Sequence, residues 1–359
     1  MDTSSSIVGA SNESKSYGTA VEDDPVYQTV LHLQTWTLPV VFSIGLIGNI
    51  LAARTFLSPS LRQTSCCLYL ATKSINDLVF LISLFVVWLY RLDVRVFKTV
   101  GVCQATVFMS YITGFLSVWY VVFITWENFI RVSFPSRVTS LCSVKRAKYT
   151  IVLMITIAVG MYSFSLWTTG LISSHNNNSS CLVLEKYQTL LVAMTCVDSI
   201  LTLVIPLVIM VFLNIAISVS AINAHERRKR LFQSVQMTST SRRKETPAME
   251  VKVSKLLFAV SLIFILFHTP SHVIRIKMML LGLYGASPSV NDGVLHRIFE
   301  LVYYMNFSVH CAVYLIFGDN FRIVFKRMFC SWCYETEAVQ DNTFNPYSQR
   351  GSEGEAILE

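Results

Sequence analysis

Residues 103–126 read CQATVFMSYITGFLSVWYVVFITW, which is 24 residues without one Asp, Glu, Lys or Arg. A helix that crosses the hydrocarbon core of a bilayer needs about 20 consecutive, largely apolar residues. A transmembrane β-barrel would show alternating segments of about ten residues instead. This segment therefore predicts a membrane-spanning α-helix.

Six further segments are similarly long and apolar. The chain has 359 residues, of which 53% are hydrophobic and 14% charged, whereas a soluble domain carries about 25% charged residues. This deficit argues against a soluble enzyme, a disordered protein and a coiled coil, and 9 cysteines are too few for a disulfide scaffold. We predict an all-α membrane protein, a seven-transmembrane helix bundle. The expected spans are 36–57, 66–90, 103–126, 149–172, 189–222, 253–283 and 295–317.

The basic residues set the expected orientation, because cytoplasmic loops are enriched in Lys and Arg. With the N-terminus outside, 20 of the 29 Lys and Arg residues lie on the inner side and eight on the outer side, while Lys73 lies within a span. This predicts a multi-pass protein of the plasma membrane with an extracellular N-terminus. The net charge of +7 then needs no nucleic-acid partner. Sequons at Asn12 and Asn178 fall outside, where glycans are attached.

The two ends of the chain are expected to lie outside the bundle, which takes residues 36–317. Residues 1–35 are Ser-rich and acidic, and residues 334–359 are polar and acidic. Segments of this composition cannot bury enough apolar surface to fold. We predict one extracellular and one cytoplasmic disordered tail.

Residues 318–333 form the last expected element. Their apolar and basic residues follow the spacing of an amphipathic eighth helix that lies on the membrane. Cys330 and Cys333 at its end are candidates for palmitoylation, with unmodified thiols as the alternative.

Polar residues interrupt the predicted spans at marked positions. Asp77 lies in the second span, and an acid at mid-membrane is a candidate functional residue because its burial is costly. Lys73 precedes it by four residues, so its ammonium can pair with the carboxylate on one helix face. His268 precedes Pro270 by two residues, and such prolines often mark moving parts. His268 is therefore a candidate switch residue, and the alternative is a hydrogen-bonded core residue.

Motifs in the spans resemble those of the rhodopsin-like (class A) G protein-coupled receptors. The resemblance covers roughly residues 36–333, and the overall pattern is closest to invertebrate neuropeptide receptors of the FMRFamide and thyrotropin-releasing-hormone type. The motifs that carry it are Lys73-Ser74-Ile75-Asn76-Asp77, Glu127-Asn128-Phe129-Ile130-Arg131, Phe264-Ile265-Leu266-Phe267-His268-Thr269-Pro270 and Asn306-Phe307-Ser308-Val309-His310-Cys311-Ala312-Val313-Tyr314.

The resemblance implies a disulfide between Cys103 and Cys181. It also implies a polar network between the first, second and seventh helices that holds a sodium ion, with a purely structural network as the alternative. Lys73 departs from the family, and we expect its ammonium to substitute for the ion. The residues of this network and of the neighbouring switch are Asn49, Lys73, Asp77, Ser117, His268, Pro270, Asn306, His310 and Tyr314.

The same resemblance implies a heterotrimeric G protein as partner at the inner side, with arrestin as a further candidate, besides the membrane lipid. Ligand binding would move helix six outward, and Glu127, Asn128 and Arg131 would face the partner. Asn128 stands where the family has Arg, and Arg131, nearly one turn on, is a partial substitute. One alternative is a receptor that has lost G-protein coupling and acts as a decoy or arrestin-biased receptor. A transporter or channel is the other, disfavoured because we see no internal repeat.

A peptide is the expected ligand. Retinal would need a Lys in 295–317, which has none, and an amine receptor would have Asp where Ser110 stands. Charged residues of both signs near the outer ends of the spans suit a peptide with an amidated terminus or an Arg side chain. The alternative is that these side chains extend to the membrane interface to keep their charges in water. The expected ligand-binding residues are Tyr111, Asp198, His272, Arg275, His296 and Glu300. We expect no enzyme activity, metal or cofactor, because no P-loop, zincin or nucleophile-elbow pattern occurs.

Overall fold

Seven long helices cross one another in a bundle in this computed structural model, which describes residues 24–92, 94, 99, 101–173, 179–235, 246–284, 286 and 288–329. Each is long and apolar enough to cross a membrane. We call the bundle end that carries residue 25 the outer end and the opposite end the inner end. The long helices are α1 (Pro25–Phe56), α2 (Ser65–Arg91), α3 (Val102–Ser133), α4 (Val144–Tyr162), α5 (three consecutive pieces, Gln188–Ser199, Ile200–Val204 and Ile205–Val235), α6 (Thr246–Leu283) and α7 (Val290–Phe317).

Short elements connect these helices. A 3₁₀ turn and one helical turn lie between α3 and α4, and another helical turn follows α4. The strands β1 and β2 form an antiparallel hairpin before α5, and a short helix α8 follows α7. Their bounds are Pro135–Arg137, Val138–Leu141, Ser165–Thr168, Thr169–Ser173 (β1), Ser179–Val183 (β2), Glu185–Tyr187 and Asp319–Phe329 (α8).

The first helix begins at Pro25 rather than near residue 36, so the prediction of a disordered tail is wrong for residues 25–35. Asp24 caps the helix, because its Oδ1 accepts hydrogen bonds from the backbone N–H of Val26 at 2.8 Å and of Tyr27 at 3.1 Å. Proline suits this first position because its missing N–H would have no partner there. The polar composition of the segment indicated a tail, but a capped helix start is also polar.

The helix α4 ends at Tyr162, and the helical turn Ser165–Thr168 extends the candidate span to Thr168, four residues before the predicted end. Residues 169–173 instead form β1, whose backbone pairs with β2 so that Leu171 lies opposite Cys181. Apolar residues of this loop therefore extend the hydropathy signal beyond the helix. The hairpin is tied to the start of α3, since Cys181 is disulfide-bonded to Cys103.

The fifth helix contains a π-helical turn, Ile200–Val204, directly before Pro206. Proline has no N–H to donate to the carbonyl of Thr202. Single π-helical turns inside α-helices frequently occur at functional sites. This turn follows Asp198, one of the expected ligand-binding residues.

The third helix lies at the centre of the bundle and packs against α2, α4, α5 and α6, while α7 packs against α1 and α6. Large buried side chains fill the space between them, among them Tyr120, Ile124 and Tyr162.

The eighth helix turns away from α7 at Gly318. A Cβ at this position would lie 2.5 Å from the carbonyl oxygen of Tyr314, so a glycine is required for the close approach. Phe321 then packs against Phe56 and Tyr314, and Arg322 donates hydrogen bonds to the last carbonyls of α7. The predicted amphipathic eighth helix is thus present, anchored by one buried aromatic ring.

Candidate functional site

A cavity of about 430 Å³ lies between the outer halves of α2, α3, α5, α6 and α7. Its walls are mainly aromatic and aliphatic, with a few polar groups among them. Ligand pockets in proteins commonly combine an apolar lining with a few fixed polar groups. The lining residues are Phe80, Leu84, Val87, Thr106, Val107, Ser110, Tyr111, Gly114, Phe115, Val118, Thr195, Asp198, Thr202, His272, Arg275, Tyr303 and Tyr304.

Asp198 is the acidic group of the cavity, and side chains from two other helices hold it. The Tyr162 hydroxyl of α4 donates a hydrogen bond to its Oδ1. The ring of Tyr111 from α3 stacks on Tyr162, with centroids 5.4 Å apart and planes at 9°. The carboxylate is therefore placed at the wall of the cavity by packing as well as by hydrogen bonding.

The basic groups of the cavity come from α6. His272 is 6% exposed, and its Nε2 has no hydrogen-bond partner among the described residues. Arg275 follows His272 by three residues on α6, nearly one helical turn, and lines the same cavity. A cavity with an acid, a cation and an unpaired imidazole nitrogen can receive both donor and acceptor groups.

The structure brings together Tyr111, Asp198, His272 and Arg275 in this lining but leaves His296 and Glu300 outside it. Glu300 belongs to an adjacent cluster that we call the outer knot, which shares Tyr304 with the cavity lining. The knot comprises Tyr27, Gln34, Arg91, Arg297, Glu300 and Tyr304.

Donors from α1 and α7 surround the Glu300 carboxylate. The Tyr304 hydroxyl donates at 2.6 Å, the Gln34 amide at 2.9 Å, and Arg297 Nη1 at 3.2 Å. Arg91 of α2 donates to the Gln34 oxygen at 3.0 Å. Gln34 lies in the part of α1 that the sequence indicated as a tail, so its role was missed.

A second cluster, which we call the central polar core, surrounds Asp77 at the middle of the bundle. Lys73 Nζ lies 2.6 Å from Asp77 Oδ2, and both side chains are 0% exposed. Ser117 lies between them, 3.2 Å from Lys73 Nζ and 3.2 Å from Asp77 Oδ1. His310 Nδ1 lies 3.9 Å from the same carboxylate, beyond hydrogen-bonding distance. The four-residue spacing of Lys73 and Asp77 thus places them in direct contact.

The core continues to α6 and α1 through amide side chains. Asn306 Nδ2 lies 3.0 Å from His268 Nε2, and Asn49 Nδ2 donates to the Phe307 carbonyl at 2.7 Å. Several buried atoms have no hydrogen-bond partner among the residues the structure describes. They are Asn49 Oδ1, Asn306 Oδ1 and His268 Nδ1.

His268 links the central polar core to the outer cavity. Its ring stacks on Phe264 with centroids 3.7 Å apart and meets Tyr303 edge to face at 4.8 Å. Tyr303 lines the cavity, and Pro270 lies two residues further along α6. Tyr303 was not among the site residues predicted from the sequence, because aromatic residues are common in all spans.

At the inner end, Glu127 and Arg131 of α3 form an ion pair at 3.8 Å. Glu127 also accepts a hydrogen bond from Ser65 of α2 at 2.8 Å. Asn128 is fully buried and bonds to Ser254 of α6 rather than to Glu127. In the loop between α3 and α4, burial raises the pKa of the Cys142 thiol to about 11, and the negative charge of Glu127 is the next largest cause. This thiol is therefore protonated at neutral pH.

The remaining sequence expectations are distributed as follows. Cys103 and Cys181 are bonded, with Cα atoms 5.7 Å apart, and no other disulfide occurs among the described residues. The described part of the chain has no group of three or more His, Cys, Asp or Glu that could hold a metal ion. Asn12, Asn178, Cys330 and Cys333 lie outside the described residues.

Comparisons with known proteins agree with the architecture. The family model described as "7 transmembrane receptor (rhodopsin family)" matches residues 48–314. The G-protein coupled receptor 183-B of Danio rerio is 26% identical over 157 residues. The match takes in 42% of this chain and 43% of that relative, so the chain spans less than half the length of the curated protein it matches.

Proposed function

Since the chain belongs to the rhodopsin family of seven-transmembrane receptors, we propose that it is a cell-surface receptor that binds an extracellular neuropeptide in the outer cavity. The signal passes to a heterotrimeric G protein when helix six moves outward. The family is one of receptors and not of enzymes. An invertebrate neuropeptide receptor is the subtype that the sequence motifs favour.

The outer cavity carries this proposal. Its volume of about 430 Å³ accommodates the end of a peptide rather than a whole one. Asp198 and Arg275 present opposite charges, and the apolar wall around Phe115 and Tyr303 suits an aromatic or branched side chain. A bound peptide end would contact α3, α5, α6 and α7 together, so its binding can favour one arrangement of these helices over another.

The test is a screen of amidated neuropeptides against the receptor at the surface of transfected cells. We expect one peptide class to raise nucleotide exchange on a G protein, and Asp198→Asn to lower its potency by at least tenfold. Thr195→Val, which changes another lining residue without removing a charge, is the matched control. A well-expressed receptor that is silent to the whole library and to every G-protein class would overturn the proposal.

Lys73 has a proposed role as an internal counter-ion that takes the place of a sodium ion beside Asp77. The support is the direct contact of the two groups in a site closed to solvent. The expected result is agonist binding by wild-type receptor that is the same in sodium and in N-methyl-glucamine buffers, whereas Lys73→Leu becomes sodium-sensitive. Sodium-sensitive binding by the wild type would contradict this role.

Asn128 supports a second candidate function, that of a decoy or arrestin-biased receptor without conventional G-protein coupling. Asn has no charge and cannot form the forked pair that Arg forms with carboxylates. Under this alternative Asn128→Arg would create signalling where the wild type has none. Under the main proposal Arg131 meets the G protein, and the wild type already signals. Ion flux without ligand would instead support a transporter or channel.

The proposed topology places residues 1–35 outside the cell and the chain after α7 inside. Glycans at Asn12 and Asn178 and acyl groups at Cys330 and Cys333 belong to the same proposal. An epitope inserted near residue 12 should be detected on intact cells. Detection only after permeabilisation would reverse the orientation and exclude the peptide ligand at this face.

A further inference from the structure

A second cavity, of about 300 Å³, lies at the inner end of the bundle, and we call it the inner cavity. It is bounded by the inner ends of α1, α3 and α6 and by the starts of α2 and α8. Its volume is at the lower end of the range for ligand cavities, about 300–1,000 Å³. Apolar side chains form most of its wall, among them Phe56, Leu70, Leu256 and Phe321.

Two adjacent thiols at the start of α2, those of Cys66 and Cys67, belong to this wall. Cys66 is 0% exposed, whereas Cys67 is half-buried, and the two thiols are hydrogen-bonded to each other. A cysteine that only fills space in a core needs no contact with a cavity. Cys67 is therefore a nucleophile that a molecule in the inner cavity can reach.

Arg131 of α3 brings a positive charge to the same cavity. Its side chain is 9% exposed and forms the ion pair with Glu127, but its Nε has no hydrogen-bond partner among the residues that the structure describes. A guanidinium with an unused donor can bind a carboxylate through a charge-assisted hydrogen bond. The chemistry of the cavity thus fits an anion with an apolar body.

We propose that the inner cavity is a covalent modification site, in which Cys67 adds to a fatty-acid electrophile whose carboxylate Arg131 binds. The electrophile is an α,β-unsaturated aldehyde or ketone that also carries a carboxylate. The sulfur forms a bond to the β-carbon while the thiol proton leaves to water. The π electrons of the carbon–carbon double bond move to the α-carbon, which takes up a proton from water. The net result is addition of S–H across the double bond, without an oxidant or a reductant.

Binding at two points gives this site its selectivity. Arg131 on α3 and Cys67 on α2 are placed on different helices, and the apolar wall between them suits the hydrocarbon chain. Holding a reactant beside the attacking group makes the reaction effectively unimolecular, which raises its rate. The site lies at the opposite end of the bundle from the outer cavity, so the inference goes beyond the proposed peptide receptor.

The experiment uses the purified full-length receptor in detergent. The probe is a straight-chain fatty acid with a carboxylate at one end and an α,β-unsaturated aldehyde at the other, and its methyl ester is the uncharged comparison. Peptide mass spectrometry follows the adduct at each cysteine with time, and the rates with glutathione correct for intrinsic reactivity. We expect the acid to modify Cys67 at least about tenfold faster than the ester, because a hydrogen bond to a charged group contributes at least about this factor.

Variants of the receptor separate the roles of the two residues. Arg131→Gln should lower the rate of the acid at Cys67 to that of the ester and leave the rate of the ester unchanged, which also shows that the thiol is still accessible. Cys67→Ala should remove the adduct. Cys142→Ala is the matched control, because Cys142 is a half-buried thiol of the inner end that is not among the residues lining the cavity. This control should leave the rate at Cys67 unchanged.

Equal corrected rates of acid and ester at Cys67 in the wild type would overturn the proposal. Faster modification of Cys142 than of Cys67 would overturn it as well. If Arg131→Gln does not fold, the comparison of acid with ester on the wild type still decides. These measurements use neither a peptide agonist nor a G protein, so the modification site and the proposed function can fail independently.

Discussion

The outer knot and the central polar core are both built from buried charged and amide side chains, yet they differ in how fully hydrogen bonds satisfy them. In the knot, Glu300 accepts three hydrogen bonds, and no buried nitrogen or oxygen of its described side chains lacks a partner. In the core, the side-chain oxygens of Asn49 and Asn306 have no partner among the described residues.

This difference separates a structural cluster from a movable one. A fully paired network is rigid, because any rearrangement breaks bonds that nothing replaces. The central core has unused donors and acceptors, so a second arrangement can form new bonds as old ones break. We infer that the knot fixes the outer ends of α1, α2 and α7, while the core changes as α6 moves.

The largest expected effect is that of Lys73→Leu. It leaves the Asp77 carboxylate buried without its cation, and breaking a buried pair in this way costs about 3–5 kcal/mol. We expect the apparent melting temperature of the detergent-solubilised receptor to fall by roughly 10 °C in sodium-free buffer. Sodium should restore part of this loss in the variant. A melting temperature within a degree of wild type would show that Asp77 does not need the ammonium.

The next effect is that of Glu300→Gln in the outer knot. Hydrogen bonds to charged groups contribute about 1.5–3 kcal/mol each, and the amide keeps the shape while removing the charge that Arg297 pairs with. We expect a lower melting temperature but less than a threefold change in the potency of a peptide agonist. A large loss of potency with normal stability would instead place Glu300 in the ligand site.

Asn306→Ala should change stability less and signalling more. Among the residues that the structure describes, the Asn306 side chain has one hydrogen bond, to His268, and its Oδ1 has no partner there. We expect a stability change of about 1 kcal/mol or less together with altered basal nucleotide exchange. The control is Thr125→Ala, which removes a fully buried hydroxyl bonded to the Val121 carbonyl of the same helix. Equal basal activity in the two variants would contradict a switching role for the core.

The smallest effect is expected for Lys277→Leu at the outer ends of α6 and α7. Lys277 and Asp292 form an ion pair at 2.5 Å, nearly the same distance as Lys73 and Asp77, but the lysine is 55% exposed. Exposed ion pairs contribute about 0–1 kcal/mol because water screens them. The melting temperature should change by no more than about 2 °C. A loss as large as that of Lys73→Leu would show that burial is not what distinguishes the two pairs.

Local spacing allowed several features to be predicted from the sequence. Seven apolar segments predicted seven spans, because the thickness of the bilayer sets a minimum helix length. The contact of Lys73 with Asp77 followed from their four-residue spacing, since any α-helix places such residues on one face. The amphipathic eighth helix followed from the same periodicity.

Contacts between distant parts of the chain could not be predicted in this way. Gln34 and Glu300 are 266 residues apart, and Asn128 and Ser254 are 126 apart. Hydropathy shows that a segment lies in lipid but not how it is rotated or which helix it faces. The residues of β1 that hydropathy assigned to the fourth span show the same limit, because strand pairing depends on a partner segment.

The amino-acid order thus specified the number of spans, their expected orientation and the ion pair within α2. The packing of the helices specified the cavity around Asp198, the exclusion of Glu300 from it and the pairing of Asn128 with Ser254. The physical reason is that hydrophobic burial in a bilayer acts on each segment separately, whereas specificity between helices arises from side chains that meet only after the bundle assembles.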